Sequence, residues 1–531
     1  MINHPPYTRI PAGISHATIL PDFDFETYSE AGLQLVDDKW KTLPNNAKRG
    51  LFAVGGVVYA EHPSTEVLSL AYNLKDGLGP RLWIPGMAPP YELFDHIASG
   101  GLLEAWNSSF EYHIWLNVCH GRMGWPALPF YQLRDAMAKS RAHSLPGGLG
   151  DAAKVLRVSN QKIEDGKRLI KKFSMPRNPT KLDKRLRINP QEDHIDAVKL
   201  YEYNIGDIDS EAAVSAVIPD LSDTELELWL LDQLINFRGV YLDAKARSDC
   251  EAVMQQASSK YTAELVALTN GVVQSASEVA KITGWLGATG VPLGSLTSEV
   301  VEATLKRDDI PETARRVLEI RASLGAASVK KLFAMGHQVS KDGRLKDLFS
   351  FCGADRTGRF SGRGPQPQNL PNSGPKVREC RDCKKHYTPK LTFCPWCKGD
   401  DVFNEDAEWG IEAVETALQV IATRDLATVE YYLGDAIAAV AGCLRGLFAA
   451  APGHEFICSD YSAIEAVVLA ELAGEEWRLE VFRTHGMIYE MSAAKISGIP
   501  FEEFVAHKKN TGDHHPLRKK VGKVAELACF G

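Results

Sequence analysis

Two acids one residue apart, Asp24 and Glu26 in the run DFDFETYSE, have the type and spacing to do chemistry. Alternate residues of a strand share a face, so both carboxylates point the same way. Like charges held side by side repel unless a cation lies between them, and hard oxygen ligands suit Mg²⁺ or Mn²⁺. The alternative is an exposed strand end with no ligand. A second cluster is Cys380, Cys383, Cys394 and Cys397, two Cys-x2-Cys pairs separated by ten residues. Four thiolates on two tight hairpins match a tetrahedral structural Zn²⁺ ribbon; the alternative is four reduced thiols in a loop. Lys376, Arg378, Arg381, Lys384, Lys385 and Lys390 surround it. They would either touch nucleic acid or solvate a small insert.

Two further segments bear on the acidic pair. AWNSSFEYHIW places Asn107 four residues before Glu111, ahead of a helical apolar pattern. YEYNIGDIDSE places Tyr203 four residues before Asp207, about one helical turn, so phenol and carboxylate share a face. In this order, over about residues 20–218, the three motifs resemble the DEDDy type of 3′–5′ exonuclease domain, the proofreading unit attached to family A DNA polymerases. The resemblance implies that Asp24, Glu26, Glu111 and Asp207 hold two Mg²⁺ ions, which bracket the attacking water and the leaving oxygen, while Tyr203 orients the water. Position 111 departs from the family, which usually has Asp there. The extra methylene moves the carboxylate by about an angstrom, and misplacement on that scale costs on the order of 10²-fold in rate. Asp135 in YQLRDAM is either a substitute ligand or a structural acid.

Three later segments resemble the polymerase part of the same family. TGRFSGRGPQPQNLP, residues 357–371, is too rich in Gly and Pro for a helix. With Arg356 before it, it brings together three arginines (Arg356, Arg359, Arg363) and a Gln-Asn pair, more than a flexible linker requires. It resembles the signature TGR-x-S…QN-x-P, which implies primer–template contacts for Arg359, Gln368 and Asn369. Such contacts suit the minor groove, whose acceptors are the same on A·T and T·A pairs. ICSDYSAIEAVVLAELAG resembles motif A, in the phage-type form followed by LAGEEWRLEVF. Asp460 would be a Mg²⁺ ligand, Tyr461 would lend its backbone carbonyl, and Glu465 would be the steric gate that selects deoxynucleotides. Val467 stands where the family usually has Arg. LRKKVGKVAELACFG resembles the start of motif B, whose cations grip the incoming triphosphate. Lys523 matches the family's Lys, Lys519 occupies the Arg register with Arg518 one residue earlier, and Tyr489 would also face the nucleotide. Lys cannot make the bidentate fork of Arg.

The elements that must position these residues alternate in kind along the chain. ATILPDFDFET, FAVGGVVYA and VLSLAYNL read as strands, punctuated by Gly and Pro. The stretch 162–187 carries ten Lys/Arg against three Asp/Glu and reads as a solvated or a phosphate-contacting loop. Residues 223–345 take a helical period, and HEFICSDY reads as a strand delivering Asp460. The resulting expectation is an α/β chain with an RNase H-like 3′–5′ exonuclease domain over 1–220. An incomplete family A polymerase follows: a helical thumb over 221–345, partial palm over 346–373 and 426–480, a zinc-ribbon insertion over 374–425, and the start of the fingers over 481–531.

The 531 residues predict about three or four domains. Apolar residues at 44% and charged residues at 24% exclude wholesale disorder, a collagen-like repeat and a coiled coil. The net charge of −8 argues against a partner coated through bulk charge, but a local basic stripe can sit on an acidic body. No apolar run is long enough to span a membrane and no secretion signal is seen, which points to the cytoplasm. The implied partners are primer–template DNA and dNTPs. No His-Asp-Glu string follows motif B, so the polymerase site lacks its second carboxylate here. An interrupted gene with a separate C-terminal fragment, a truncated record and a degenerate protein each explain this. Rival functions are a stand-alone exonuclease and a DNA-binding remnant.

Overall fold

The computed structural model describes residues 18–158, 165–325, 327–354, 357–400, 405–459, 461 and 463–528. Asp460 and Arg356 lie outside these described residues. The chain divides into two compact units, Met1–Pro452 and Gly453–Gly531.

The first unit is built on a five-stranded mixed sheet. Its strands are β1 (Asp22–Tyr28), β2 (Glu66–Asn73), β3 (Arg81–Trp83), β4 (Leu103–Ala105) and β5 (Leu133–Asp135), in the order β3-β2-β1-β4-β5. β1 pairs antiparallel with β2 and parallel with β4, and β4 pairs parallel with β5. Pleating sorts the sequence DFDFETY into two faces. Phe23 and Phe25 point into the apolar core, where both rings meet Trp115 at 6.3 Å between centroids. Asp22, Asp24 and Glu26 point to the opposite face. The helices that position the site are α1 (Ser108–Ile114) and the 22-residue α2 (His194–Ser215), which packs across β1 and β2.

FAVGGVVYA is a helix, Leu51–Glu61, interrupted at Gly55, and not a strand. A short continuous apolar run carries no period that separates a buried strand from a buried helix. Here Ala53, Val54, Tyr59 and Ala60 all enter the sheet's core from the helix.

The described residues of 223–338 are mainly helical, led by Asp223–Arg238 and the 25-residue α3 (Ala244–Leu268), whose far half packs in a helical cluster with residues of 273–320. The hairpin Phe349–Ala354/Arg359–Gly362 follows. A three-stranded sheet of Val377–Glu379, His386–Tyr387 and Glu405–Ala407 then holds the cysteines. α4 (Ile411–Ile421) and α5 (Leu426–Leu433) close this part of the unit.

The second unit contains α6 (Ile464–Ala473) and three further helices, Glu476–Thr484, Ile488–Ser497 and Phe501–Thr511. The expected strand before Asp460 is absent: residues 454–459 have no regular structure, and Phe456 and Ile457 are 54% and 90% exposed. A strand needs a neighbour for its backbone N–H and C=O groups. No strand pairs with this segment among the described residues. Among the described residues no helix is long and apolar enough to cross a membrane.

Candidate metal and nucleic-acid sites

The acidic face of β1 meets α2 at the main site. Oxygens of Asp24, Glu26 and Asp207 all lie within 4.8 Å of one another. Glu26 and Asp207 are buried and Asp24 is half-buried. Three carboxylates at this separation repel strongly, and burial raises the cost because little water screens them. A divalent cation is the natural counter-charge, and the all-oxygen donor set fits Mg²⁺ or Mn²⁺.

Glu111 stands beside this group on α1, fully buried. Its Oε2 accepts the backbone N–H of Phe25 at 3.1 Å. Burial and then the nearby Asp24 carboxylate push its carboxyl well above the usual range. Asp135, the other candidate, is spent on caps. Its Oδ1 accepts the N–H of Asn107 (3.3 Å) and Ala138 (3.1 Å), and its Oδ2 accepts the N–H and hydroxyl of Ser108 (3.1 and 3.2 Å). It thereby fixes the start of α1 and of the helix Ala136–Ala142.

Tyr203, one turn before Asp207, is 2% exposed. Burial, then the charges of Asp207 and Glu26, hold its phenol far above the ordinary range, so it stays protonated and hydrogen-bonds to Asp207. Two further residues carry no spacing signal. Asn204 Nδ2 donates to Asp24 Oδ2 at 2.6 Å and to its carbonyl at 3.2 Å, while Asn204 Oδ1 accepts from Ser69 at 2.8 Å. This chain locks the Asp24 rotamer. Gly166 lies so close to the Tyr203 ring that an added Cβ would sit 2.0 Å from it.

The basic stretch is turned inward on itself. Arg168 bridges Asp165 and Asp196, Lys172 also meets Asp196, and Arg185 (2.8 Å) and Arg177 share Asp183. Arg187 pairs with Glu66 and lies 3.6 Å above the Tyr28 ring. These cations brace α2 and β1, which weighs against the phosphate-contacting alternative.

In the second cluster, Sγ atoms of the four cysteines lie within 4.8 Å of one another, with Cys380–Cys397 and Cys383–Cys394 at 3.6 Å. A disulfide needs about 2.05 Å. The edge of a tetrahedron around Zn²⁺ with Zn–S near 2.3 Å is about 3.8 Å, so the four residues fit that ion.

Of the polymerase-like residues in the first unit, Arg359, Gln368 and Asn369 all face solvent on the hairpin and the turn Pro367–Asn369. Gly362 makes room for Gln368, whose Nε2 would lie 2.3 Å from an added Cβ. Arg363 faces inward and donates to Ser350 Oγ at 3.1 Å. In the second unit, Tyr461 is 81% exposed and Glu465 is exposed on α6. Lys519 and Lys523 are exposed on the segment Arg518–Lys523. Arg518 is engaged elsewhere: it donates to Glu490 at 2.6 Å and stacks over Tyr489.

Saturating Mn²⁺ is expected to raise the melting temperature. At about 100 times Kd, linkage predicts about 2.7 kcal/mol of stabilisation, and the shift should vanish in Asp24→Asn; differential scanning fluorimetry checks this. Asn204→Ala should keep the fold but weaken Mn²⁺ binding by about 10–100-fold, as loss of a residue that orients a ligand does, measured by titration calorimetry.

No protein-family model matches the chain. Its sequence is similar to the DNA polymerase of Bacillus phage SP02, 33% identical over 483 residues, which are 90% of this chain and 66% of that protein. A shorter stretch is similar to DNA polymerase I of Pseudomonas aeruginosa, 29% identical over 90 residues, 17% of this chain and 9% of that one. Among solved structures, the POL domain of Pol1 from M. smegmatis, in complex with DNA primer-template and dNTP, aligns with a TM-score of 0.46 and 14% identity. That alignment covers 88% of this chain and 65% of that one. The matched region is about two thirds of the phage polymerase and about a tenth of the Pseudomonas protein. Identity of one residue in three, sustained across nine tenths of the sequence, is family likeness, and the chain belongs to the phage-type, Pol I-like family A of DNA polymerases.

Proposed function

We propose that this chain carries the 3′–5′ proofreading exonuclease of a phage-type family A DNA polymerase, together with part of its polymerase machinery. The observation that carries the reading is the convergence of Asp24, Glu26 and Asp207 within 4.8 Å beside a buried, protonated Tyr203. Mg²⁺ or Mn²⁺ held there would supply an activated water and stabilise the leaving 3′ oxygen. The chain's own residues do the rest. Asp24 and Glu26 bind from the strand, and Asn204 keeps Asp24 in the binding rotamer. Tyr203 keeps its proton at neutral pH and gives it to Asp207, and its hydroxyl oxygen would orient the attacking water by accepting a hydrogen bond from it. Glu111, charged next to Asp24 only when a cation offsets it, is the fourth acid of the site; Asp135 is structural because its oxygens are filled by caps.

The polymerase reading rests on exposed groups. Arg359, Gln368 and Asn369 would contact primer–template DNA. Lys519 and Lys523 would meet the triphosphate of an incoming dNTP, with Tyr489 nearby and Arg518 acting through Glu490 instead of directly. Asp460 would hold the metal, Tyr461 would lend its backbone carbonyl, and Glu465 would be the steric gate that packs where a ribose 2′-OH would go. Cys380, Cys383, Cys394 and Cys397 would hold structural Zn²⁺.

A 5′-labelled primer with a mismatched 3′ end tests the exonuclease reading. Mg²⁺-dependent shortening by single nucleotides is expected, abolished in Asp24→Ala and slowed on the order of 10²-fold in Tyr203→Phe through loss of water orientation. Shortening that survives Asp24→Ala, or none under any divalent cation, refutes it. Gly166→Ala is expected to displace the Tyr203 ring and slow the same reaction while leaving Mn²⁺ binding near wild type.

A further inference from the structure

The cysteine cluster sits on a ribbon with almost no core of its own. Its buried cluster is Cys380, Tyr387 and Cys394, with Cys383, Leu391 and Trp396 packed against it. Three of these six are cysteines of the metal-ligand set, so the ribbon's shape depends on what joins them. The same ribbon exports contacts to two helices. Thr388 N–H donates to the carbonyl of Tyr432 at 2.8 Å, and the Trp396 ring lies 4.7 Å from the Tyr432 ring. Lys385 Nζ donates to Gln419 on α4 at 2.6 Å. Gly434, which ends α5 at φ 82°, admits Thr388 so closely that an added Cβ would lie 2.6 Å from its hydroxyl.

The contact continues beyond the ribbon. Two residues before Tyr432, Glu430 accepts Lys260 Nζ at 2.7 and 2.9 Å and the Tyr261 hydroxyl at 2.9 Å. Both partners lie on α3. Arg316, from the helix Glu312–Gly325, covers the Tyr261 ring at 5.4 Å and pairs with Glu264 at 2.7 Å. Tyr261 itself packs against two hydrophobic clusters, one around α4 and α5 and one within the helical part 265–324. An unbroken chain of contacts thus runs from four sulfurs to the root of the helical part.

We propose that the four-cysteine site is a metal-locked brace: with the metal bound, the ribbon seats α5, and through Glu430 it fixes the middle of α3 from which the helical part projects. This rests on reading the four cysteines as Zn²⁺ ligands. The brace acts through packing and needs no change of charge at the cysteines beyond the thiolate state that binds Zn²⁺.

Hydrogen–deuterium exchange on the full chain tests it, with zinc content measured in parallel. One zinc per chain is expected, lost in Cys380→Ser together with Cys397→Ser. Removing zinc should release amide protection in three places: the ribbon, α5 and the Ala257–Leu265 part of α3. The strand Asp22–Tyr28 should stay protected. Tyr432→Ala should keep its zinc and an intact ribbon, yet lose protection in α5 and α3. Glu430→Gln should keep zinc, ribbon and α5 and loosen α3 alone. Absence of zinc in the purified chain overturns the ligand reading itself. Bound zinc whose removal changes exchange only within 374–407, with Tyr432→Ala silent in α3, overturns the brace and leaves the zinc site standing.

Discussion

Electrostatic crowding on one face of β1 is the constraint around which the first unit is arranged. Asp24, Glu26 and Asp207 converge, with Glu111 buried beside them. Such a cluster is costly to fold without a counter-charge, since the buried carboxylates lose hydration and gain like-charged neighbours that a few donated hydrogen bonds only partly offset. Burial and the Asp24 carboxylate push the Glu111 carboxyl well above its usual range, and burial with the charge of Asp207 pushes the Tyr203 phenol up. A site built at this cost is poised for a divalent cation.

The surroundings hold the acids in place against their repulsion. Phe23 and Phe25 anchor the far face of β1 against Trp115, so the strand cannot rotate its acids away. Asn204 ties Asp24 to Ser69 on the neighbouring strand. Asp135 caps the helix that carries Glu111, and Gly166 leaves room for the Tyr203 ring. The paired cations of 165–187 fasten α2 from outside. Precision in such sites comes from these supporting contacts as much as from the ligands.

The residues proposed to do chemistry stand out in the sequence because their spacing maps directly onto a period. Asp24 and Glu26 alternate on a strand, Tyr203 and Asp207 are a helical turn apart, and the cysteines come in two tight pairs. The supporting residues have no such signature. Asn204 is an ordinary helix residue until β2 is laid beside it, and Gly166 matters only through a ring thirty-seven positions away. Composition misled where tertiary pairing decides. FAVGGVVYA satisfies a strand or a buried helix equally, and the basic run found acids from α2 and β2 that a linear reading does not place near it. HEFIC has strand-forming residues but no partner among those described. Arg518, one residue before the register position taken by Lys519, pairs with Glu490, which no spacing signals.

Anomalous diffraction from crystals of the chain grown with Mn²⁺ tests the central claim most directly. The account predicts Mn²⁺ bound at Asp24, Glu26 and Asp207, with a second ion about 3.5–4 Å away when a nucleotide is present. A well-ordered site whose carboxylates bind no Mn²⁺, or turn apart from one another, would contradict it.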